Sequence, residues 1–166
     1  MNTIVRPYVW YKDIWFQLQI LKDKSIQYYM FDNMRVVLRY FMPWTYCVKY
    51  VCIIENNQIS KKISIVTFTK RKDGLYSIAG FIPTKMQNRG YGIYAGIAFV
   101  KYFFQSYPNA TIYSCSASYN ERAFRVTKSM GFQLITQDKR HYASSLTKEQ
   151  FNNEFVKKII DRAGIK

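Results

Sequence analysis

Leu75-Tyr76-Ser77-Ile78-Ala79-Gly80-Phe81-Ile82-Pro83-Thr84-Lys85-Met86-Gln87-Asn88-Arg89-Gly90-Tyr91-Gly92 is the stretch on which the fold turns. Its first part follows the turn signal Lys72-Asp73-Gly74 and predicts a strand over 75–82. Its last part opens directly into Tyr91 to Gln105, an apolar run of helical length. A strand, a glycine loop and a helix start together make an anion site. The first helical turn leaves main-chain N–H groups without partners, and the macrodipole puts partial positive charge there. Glycine at 90 and 92 lets an oxygen approach the backbone with no Cβ in the way. Gln87 and Arg89 can add side-chain donors. The pattern is not a dinucleotide fingerprint, because Gln87 stands where the first glycine would be. Nor is it a phosphate loop of the Gly-Lys-Ser/Thr kind.

Upstream, Tyr46 to Glu55 and Ile59 to Lys70 read as strands around the turn signal Asn56-Asn57, and with Leu75–Ile82 they predict an antiparallel meander. In the middle run Ile63, Ile65 and Phe68 are apolar while Ser64 and Thr67 are polar, a rough alternation. Before them, Thr3–Tyr8 reads as a strand, and Asp13–Leu21 and Ser25–Phe41 as helices. The second helix carries a stripe of Ile26, Met30, Met34, Val37 and Phe41 and ends at Met42-Pro43-Trp44. Downstream, Ala110–Ser118 is β-rich, and Asn120–Met130 is a helix closed by Gly131. Phe132–Thr136 and His141–Leu146 are strands, and Glu149–Asp161 is a C-terminal helix. With no repeat and no linker, residues 1–166 are expected to form a single domain.

The segment Gln87-Asn88-Arg89-Gly90-Tyr91-Gly92 resembles motif A of the GNAT N-acetyltransferase superfamily, Q/R-x-x-G-x-G/A, which cradles the coenzyme A pyrophosphate. Asn120-Glu121-Arg122-Ala123 followed by Met130-Gly131-Phe132 resembles that family's later signature, N-x-x-A and then G-F, at the next strand–helix junction. The resemblance covers Leu75 to Phe132, and element order extends it. It implies an α/β (α+β) fold: a mixed, mostly antiparallel six- to seven-stranded sheet flanked by helices. In such a sheet the parallel strands Leu75–Ile82 and Ala110–Ser118 splay apart, and the pantetheine arm lies between them, pairing with backbone around Phe81 and Ile82. The implied cofactor residues are Phe81, Ile82, Gln87, Asn88, Arg89, Gly90, Tyr91, Gly92 and Asn120, and the implied acyl donor is acetyl-CoA. The interval Pro83 to Gln87 is one residue longer than the commonest form of the family.

The resemblance implies acetyl transfer to an amine, which needs a deprotonated amine, an oxyanion donor and a proton for the leaving thiolate. The family commonly places a tyrosine seven residues after the motif asparagine as that acid; here the position is Thr127, a far weaker acid. The run Phe124-Arg125-Val126-Thr127-Lys128 resembles the family branches, ribosomal-protein acetyltransferases among them, that also lack the tyrosine. The strand where many relatives carry a glutamate has no carboxylate between Leu75 and Phe81. Candidate catalytic groups are therefore His141, Tyr119, Thr127 and Tyr142, with Tyr76, Glu121 or a water held by Ser116 and Ser118 as other sources of a base. His141 is the chain's only histidine, and histidine titrates in the useful range. Water-relayed deprotonation is the leading expectation.

Composition sets the remaining expectations. The net charge is +15, and Asn57 to Gly90 holds seven basic residues (Lys61, Lys62, Lys70, Arg71, Lys72, Lys85, Arg89) against Asp73 alone. Such a field favours a phosphorylated cofactor and an anionic amine, for example an amino sugar nucleotide or an amino acid derivative, over a polycation. Arg35, Arg39, Tyr28, Tyr29, Trp44 and Tyr46 are candidate walls for it. Acetylation of a protein or peptide N-terminus, and nucleic-acid binding without catalysis, stay open as alternatives, the second ranked low. The cysteines Cys47, Cys52 and Cys115 have no metal-ligand spacing and are expected to be buried and reduced. No metal is expected. With no apolar leader and no span, the expected location is cytoplasmic and no membrane partner is expected. A homodimer is compatible with the sequence.

Overall fold

The structure is a computed structural model that describes residues 2–24, 26–27, 47–56 and 59–165. Its strands are β1 (Asn2–Pro7), β2 (Cys47–Asn56), β3 (Ile59–Lys70), β4 (Tyr76–Phe81), β5 (Ile112–Ala117), β6 (Gln133–Gln137) and β7 (His141–Leu146). Its helices are α1 (Trp10–Leu21), α2 (Tyr91–Ser106), α3 (Glu121–Ser129), α4 (Lys148–Phe151) and α5 (Glu154–Ala163), with a 3-10 turn at Thr84–Met86. The strands form one sheet in the order β1-β2-β3-β4-β5-β7-β6. Every pairing is antiparallel except β4 with β5. The expected meander of β2, β3 and β4 is present. The helix expected over Ser25–Phe41 lies outside the described residues except at Ile26 and Gln27, which are helical. The candidate wall residues Tyr28, Tyr29, Arg35, Arg39, Trp44 and Tyr46 lie outside them altogether.

One sheet face packs on α2, which buries Ala95, Ile97, Ala98, Phe99, Val100, Phe103 and Phe104. Phe103 is the centre of that layer: its ring stacks on Phe68 at 4.2 Å and meets Tyr107 at 4.9 Å and Tyr76 edge-on at 5.1 Å. The other face carries a smaller cluster of Ile20, Ile26, Val51 and Ile65, with Phe16, Leu21 and Phe81 against it. Because β3 is covered on both faces, its alternation does not divide core from solvent: Ser64 and Thr67 are buried too. The Ser64 hydroxyl meets its burial by donating to the Phe81 carbonyl at 2.8 Å.

Helix α1 starts three residues before the expected Asp13, because Asp13 holds the helix start from inside the first turns. Its carboxylate is fully buried and accepts from the Val9 N–H at 2.8 Å, from Arg6 at 2.6 and 2.7 Å, and from Lys62 at 2.8 Å. Burial alone would raise its pKa, but the Arg6, Lys62 and Val9 donors outweigh that and bring it down to about 2. A carboxylate with a depressed folded pKa stabilises above its unfolded value, near 4, and loses that contribution as pH falls toward 2. The contribution is about 2 kcal/mol. Asp13→Asn is therefore expected to lower the melting temperature at pH 7 and to flatten its dependence between pH 4 and pH 2, read by circular dichroism melts. An unchanged acid limb would contradict this assignment.

The C-terminal helix expected over Glu149–Asp161 is two helices. Thr147 and Gln150 form a reciprocal capping box that starts α4, and the Asn153 side chain accepts from the Val156 N–H to start α5. The chain then returns to the first strand: Thr3 donates to the Ala163 carbonyl at 3.2 Å and bridges in parallel to Ile165. Among the cysteines, Cys52 is buried as expected, and burial pushes its thiol up to about 12. Cys115 is a correction: it is exposed, on the sheet face opposite to that of Ile112.

Candidate anion-binding loop and strand splay

Strands β4 and β5 pair only at Tyr76 with Ile112 and at Ser77 with Tyr113. Beyond that point β4 keeps its ladder to β3 as far as Phe81, and β5 keeps its ladder to β7 as far as Ala117. The facing edges of Ile78–Phe81 and Ser114–Ala117 thus separate, the splay that the resemblance implies. Two carbonyls at its mouth already have partners: Phe81 accepts from Ser64, and Ile82 accepts from the Gln87 Nε2 at 3.0 Å.

The loop closes over that mouth. Met86 is buried and anchors the 3-10 turn, and the Asp23 carboxylate accepts from both the Thr84 N–H at 2.7 Å and the Thr84 hydroxyl at 2.6 Å. Asn88 at φ 60 and Gly90 at φ 77 then turn the backbone left-handed, and Gly90 caps α2. Among the described residues, no main-chain N–H from Asn88 through Gly92 donates to a protein acceptor. Amides left unpaired at a helix start attract an anion. A Cβ on Gly90 would meet only Tyr94 ring atoms, at 3.6 and 3.9 Å. In its donor set the loop suits an anion such as a diphosphate.

Asn120 caps α3 by accepting from the Ala123 N–H at 3.1 Å, so its side-chain oxygen is in use as a cap. Arg122, two residues on, reaches the loop, a contact that the sequence alone does not reveal. Its Nη1 donates to the Gln87 Oε1, so that the Gln87 carboxamide spans from β4's exit to α3. The basic excess of 57–90 is less concentrated than its sequence position suggests. Lys62 is paired with Asp13, and Arg71 pairs with Asp73 at 2.8 Å while lying over the Tyr113 ring at 4.1 Å. Lys70, Arg71 and Lys72 sit at the end of β3 and in the turn before β4, about 20 Å of strand away from the loop. Lys85 and Arg89 are the exposed cations of the loop itself.

The catalytic candidates separate. The Thr127 hydroxyl donates back to the carbonyls of Ala123 (3.2 Å) and Phe124 (3.0 Å), leaving no proton directed outward. Tyr76 lies in the aromatic core, not in the splay. The Ser118 hydroxyl donates to the Lys139 carbonyl at 2.8 Å, so toward a water shared with Ser116 it is left as an acceptor only. Tyr142 stands opposite Ser116 in the β5–β7 ladder, and its ring stacks on Phe124 of α3 at 4.5 Å. His141 is exposed, on the opposite sheet face, with Nδ1 3.9 Å from Asp138. Tyr119 is exposed at the β5–α3 turn, and Glu121 occupies the first turn of α3. No three possible metal ligands cluster, and no helix is long and apolar enough to cross a membrane, among the described residues.

No protein-family model and no curated protein sequence matches the chain. Solved structures do match its fold. A GNAT-family acetyltransferase from Bacillus anthracis superposes with a TM-score of 0.69 at 18% identity, over 90% of this chain and 96% of that one. A spermidine N-acetyltransferase from Vibrio cholerae, solved with CoA and spermine, gives 0.70 at 15% identity, over 92% and 99%. The aminoglycoside acetyltransferase AAC(6')-Ib, solved with coenzyme A and kanamycin, gives 0.70 at 14% identity, over 90% and 97%. With the splayed parallel pair, the glycine loop and the capped α3 in the expected order, the chain has the fold of the GNAT-family acetyltransferases.

Proposed function

We propose that the chain is a single-domain, acetyl-CoA-dependent N-acetyltransferase that acts on a small anionic amine. The observation that carries the reading is the row of unpaired main-chain N–H groups at Asn88–Gly92, set at the start of α2 beside the open edge of β4. These amides and Arg89 would hold the cofactor diphosphate, and the free edges of β4 and β5 would flank the pantetheine arm. Bound acetyl-CoA supplies a thioester carbonyl for the amine to attack. The residues of the chain then have three tasks: to orient that carbonyl, to exclude bulk water and to move the proton off the amine. Ser116 and Tyr142, which face each other in the β5–β7 ladder, would hold the water for that last task. With the Thr127 hydroxyl bonded inside α3, the thiolate leaves without that group as an acid.

Charge supports the choice of acceptor class. The carboxylates of Asp13, Asp73 and Asp138 are engaged by neighbouring donors, and Asp23 holds Thr84. A spermidine-like polycation would want free carboxylates along the splay. A phosphate- or carboxylate-bearing amine fits a surface of this charge better. The test combines a thermal shift with acetyl-CoA and thiol release over a panel of amines. The expected result is a melting temperature raised by acetyl-CoA, with turnover greatest on anionic amines. Turnover confined to polyamines would overturn the acceptor class, and no shift at millimolar acetyl-CoA would overturn the reading of the loop.

A further inference from the structure

Arg122 occupies a place that should disfavour it. It sits in the first turn of α3, where the helix dipole is positive. It also faces the loop whose unpaired amides form a second positive feature. The chain already carries a net charge of +15. Glu121 shares that turn, yet no carboxylate forms an ion pair with Arg122 among the described residues. Its partner is the neutral Gln87 oxygen, bonded to Nη1 alone, which leaves the rest of the guanidinium fork unengaged by protein. Gln87 is itself fixed by its bond to the Ile82 carbonyl, so the carboxamide holds Arg122 at the loop's mouth. An exposed cation-to-amide bond adds little stability by itself. A cation held at this mouth with no ion-pair partner is explained by an anion that arrives later.

We propose that Arg122 is a phosphate ligand of the cofactor, reaching the diphosphate from the α3 side, and that Gln87 is its positioning residue. This rests on the reading of the loop as a coenzyme A site. Arginine suits the task because its planar fork can give two parallel hydrogen bonds to phosphate oxygens. The amides of Asn88–Gly92 would hold the same group from α2 while Arg122 would hold it from α3. Gln87 then serves the diphosphate through Arg122, a different role from the direct donor that its motif position implies.

Calorimetry on the full chain tests this, with coenzyme A and with pantetheine, which shares the arm and lacks every phosphate. Arg122→Gln is expected to weaken coenzyme A about 10- to 100-fold, the range for loss of charge-assisted hydrogen bonds. It should flatten the dependence on salt and leave pantetheine affinity unchanged. Arg122→Lys should restore part of the loss. Gln87→Ala should weaken coenzyme A in the same direction by less, again without touching pantetheine. Arg122→Gln that binds coenzyme A like the parent, with the same salt dependence, overturns the proposal. Equal losses for coenzyme A and pantetheine overturn it too, since they would mark Arg122 as a structural staple. A parent chain that binds neither ligand would defeat the loop reading itself and this proposal with it, a pattern distinct from the other two.

Discussion

Gly131→Ala is expected to lower the melting temperature by on the order of 10 °C, a loss of several kcal/mol for a chain of this size. Gly131 follows the C-cap of α3 at φ +93, a backbone conformation that costs an alanine about 1–2 kcal/mol. A Cβ there would also lie 2.6 Å from the Gln150 carbonyl oxygen and 2.7 Å from the Asn153 Nδ2. Neither atom can retreat cheaply. Gln150 belongs to the capping box of α4, and the Asn153 side chain caps α5 while donating to that same Gln150 carbonyl at 3.1 Å. The clash therefore strikes the point where α3 and the two C-terminal helices meet. Circular dichroism melts of Gly131→Ala against the parent measure it, and a change within 2 °C would contradict the packing described here.

Gly90→Asp is expected to abolish coenzyme A binding while leaving most of the fold's stability intact. The position is left-handed, at φ 77, so any side chain is strained, yet the nearest atoms to a new Cβ belong to the Tyr94 ring at 3.6 Å. Space is available; charge is what the site rejects. A carboxylate beside the amides of Asn88–Gly92 would satisfy them internally and repel a diphosphate, for a loss of at least about 100-fold in affinity. Gly90→Asn separates charge from backbone strain, because asparagine tolerates the left-handed region. It should retain binding within about tenfold of the parent. Equal loss in both variants would show that conformation, not charge, governs the loop.

The loop and both flanking elements were legible because their signals are local: a turn before β4, glycines at 90 and 92, and a mostly apolar run for α2. Asn120 and Gly131 marked the ends of α3 for the same reason. The split of the C-terminal helix was also written locally, in Thr147 with Gln150 and in Asn153, but the amphipathic pattern through Glu149–Asp161 hid it. Ser64 and Thr67 were misleading because alternation reports burial only when one sheet face meets water. The Arg122–Gln87 contact joins residues 35 apart along the chain and could not be read before the fold was known. Thr127 fell between the two cases. Its departure from the family's tyrosine was visible in the sequence, whereas the capture of its hydroxyl by its own helix is a property of the folded chain.

The central claim is that main-chain N–H groups of Asn88–Gly92 hold the cofactor diphosphate. The most direct measurement is an amide correlation spectrum of the 15N-labelled chain titrated with coenzyme A. The largest shifts are expected at Asn88, Arg89, Gly90, Tyr91 and Gly92, saturating together, with pantetheine alone leaving those five unmoved. Five stationary amides at millimolar coenzyme A, or shifts confined to other parts of the chain, would contradict it.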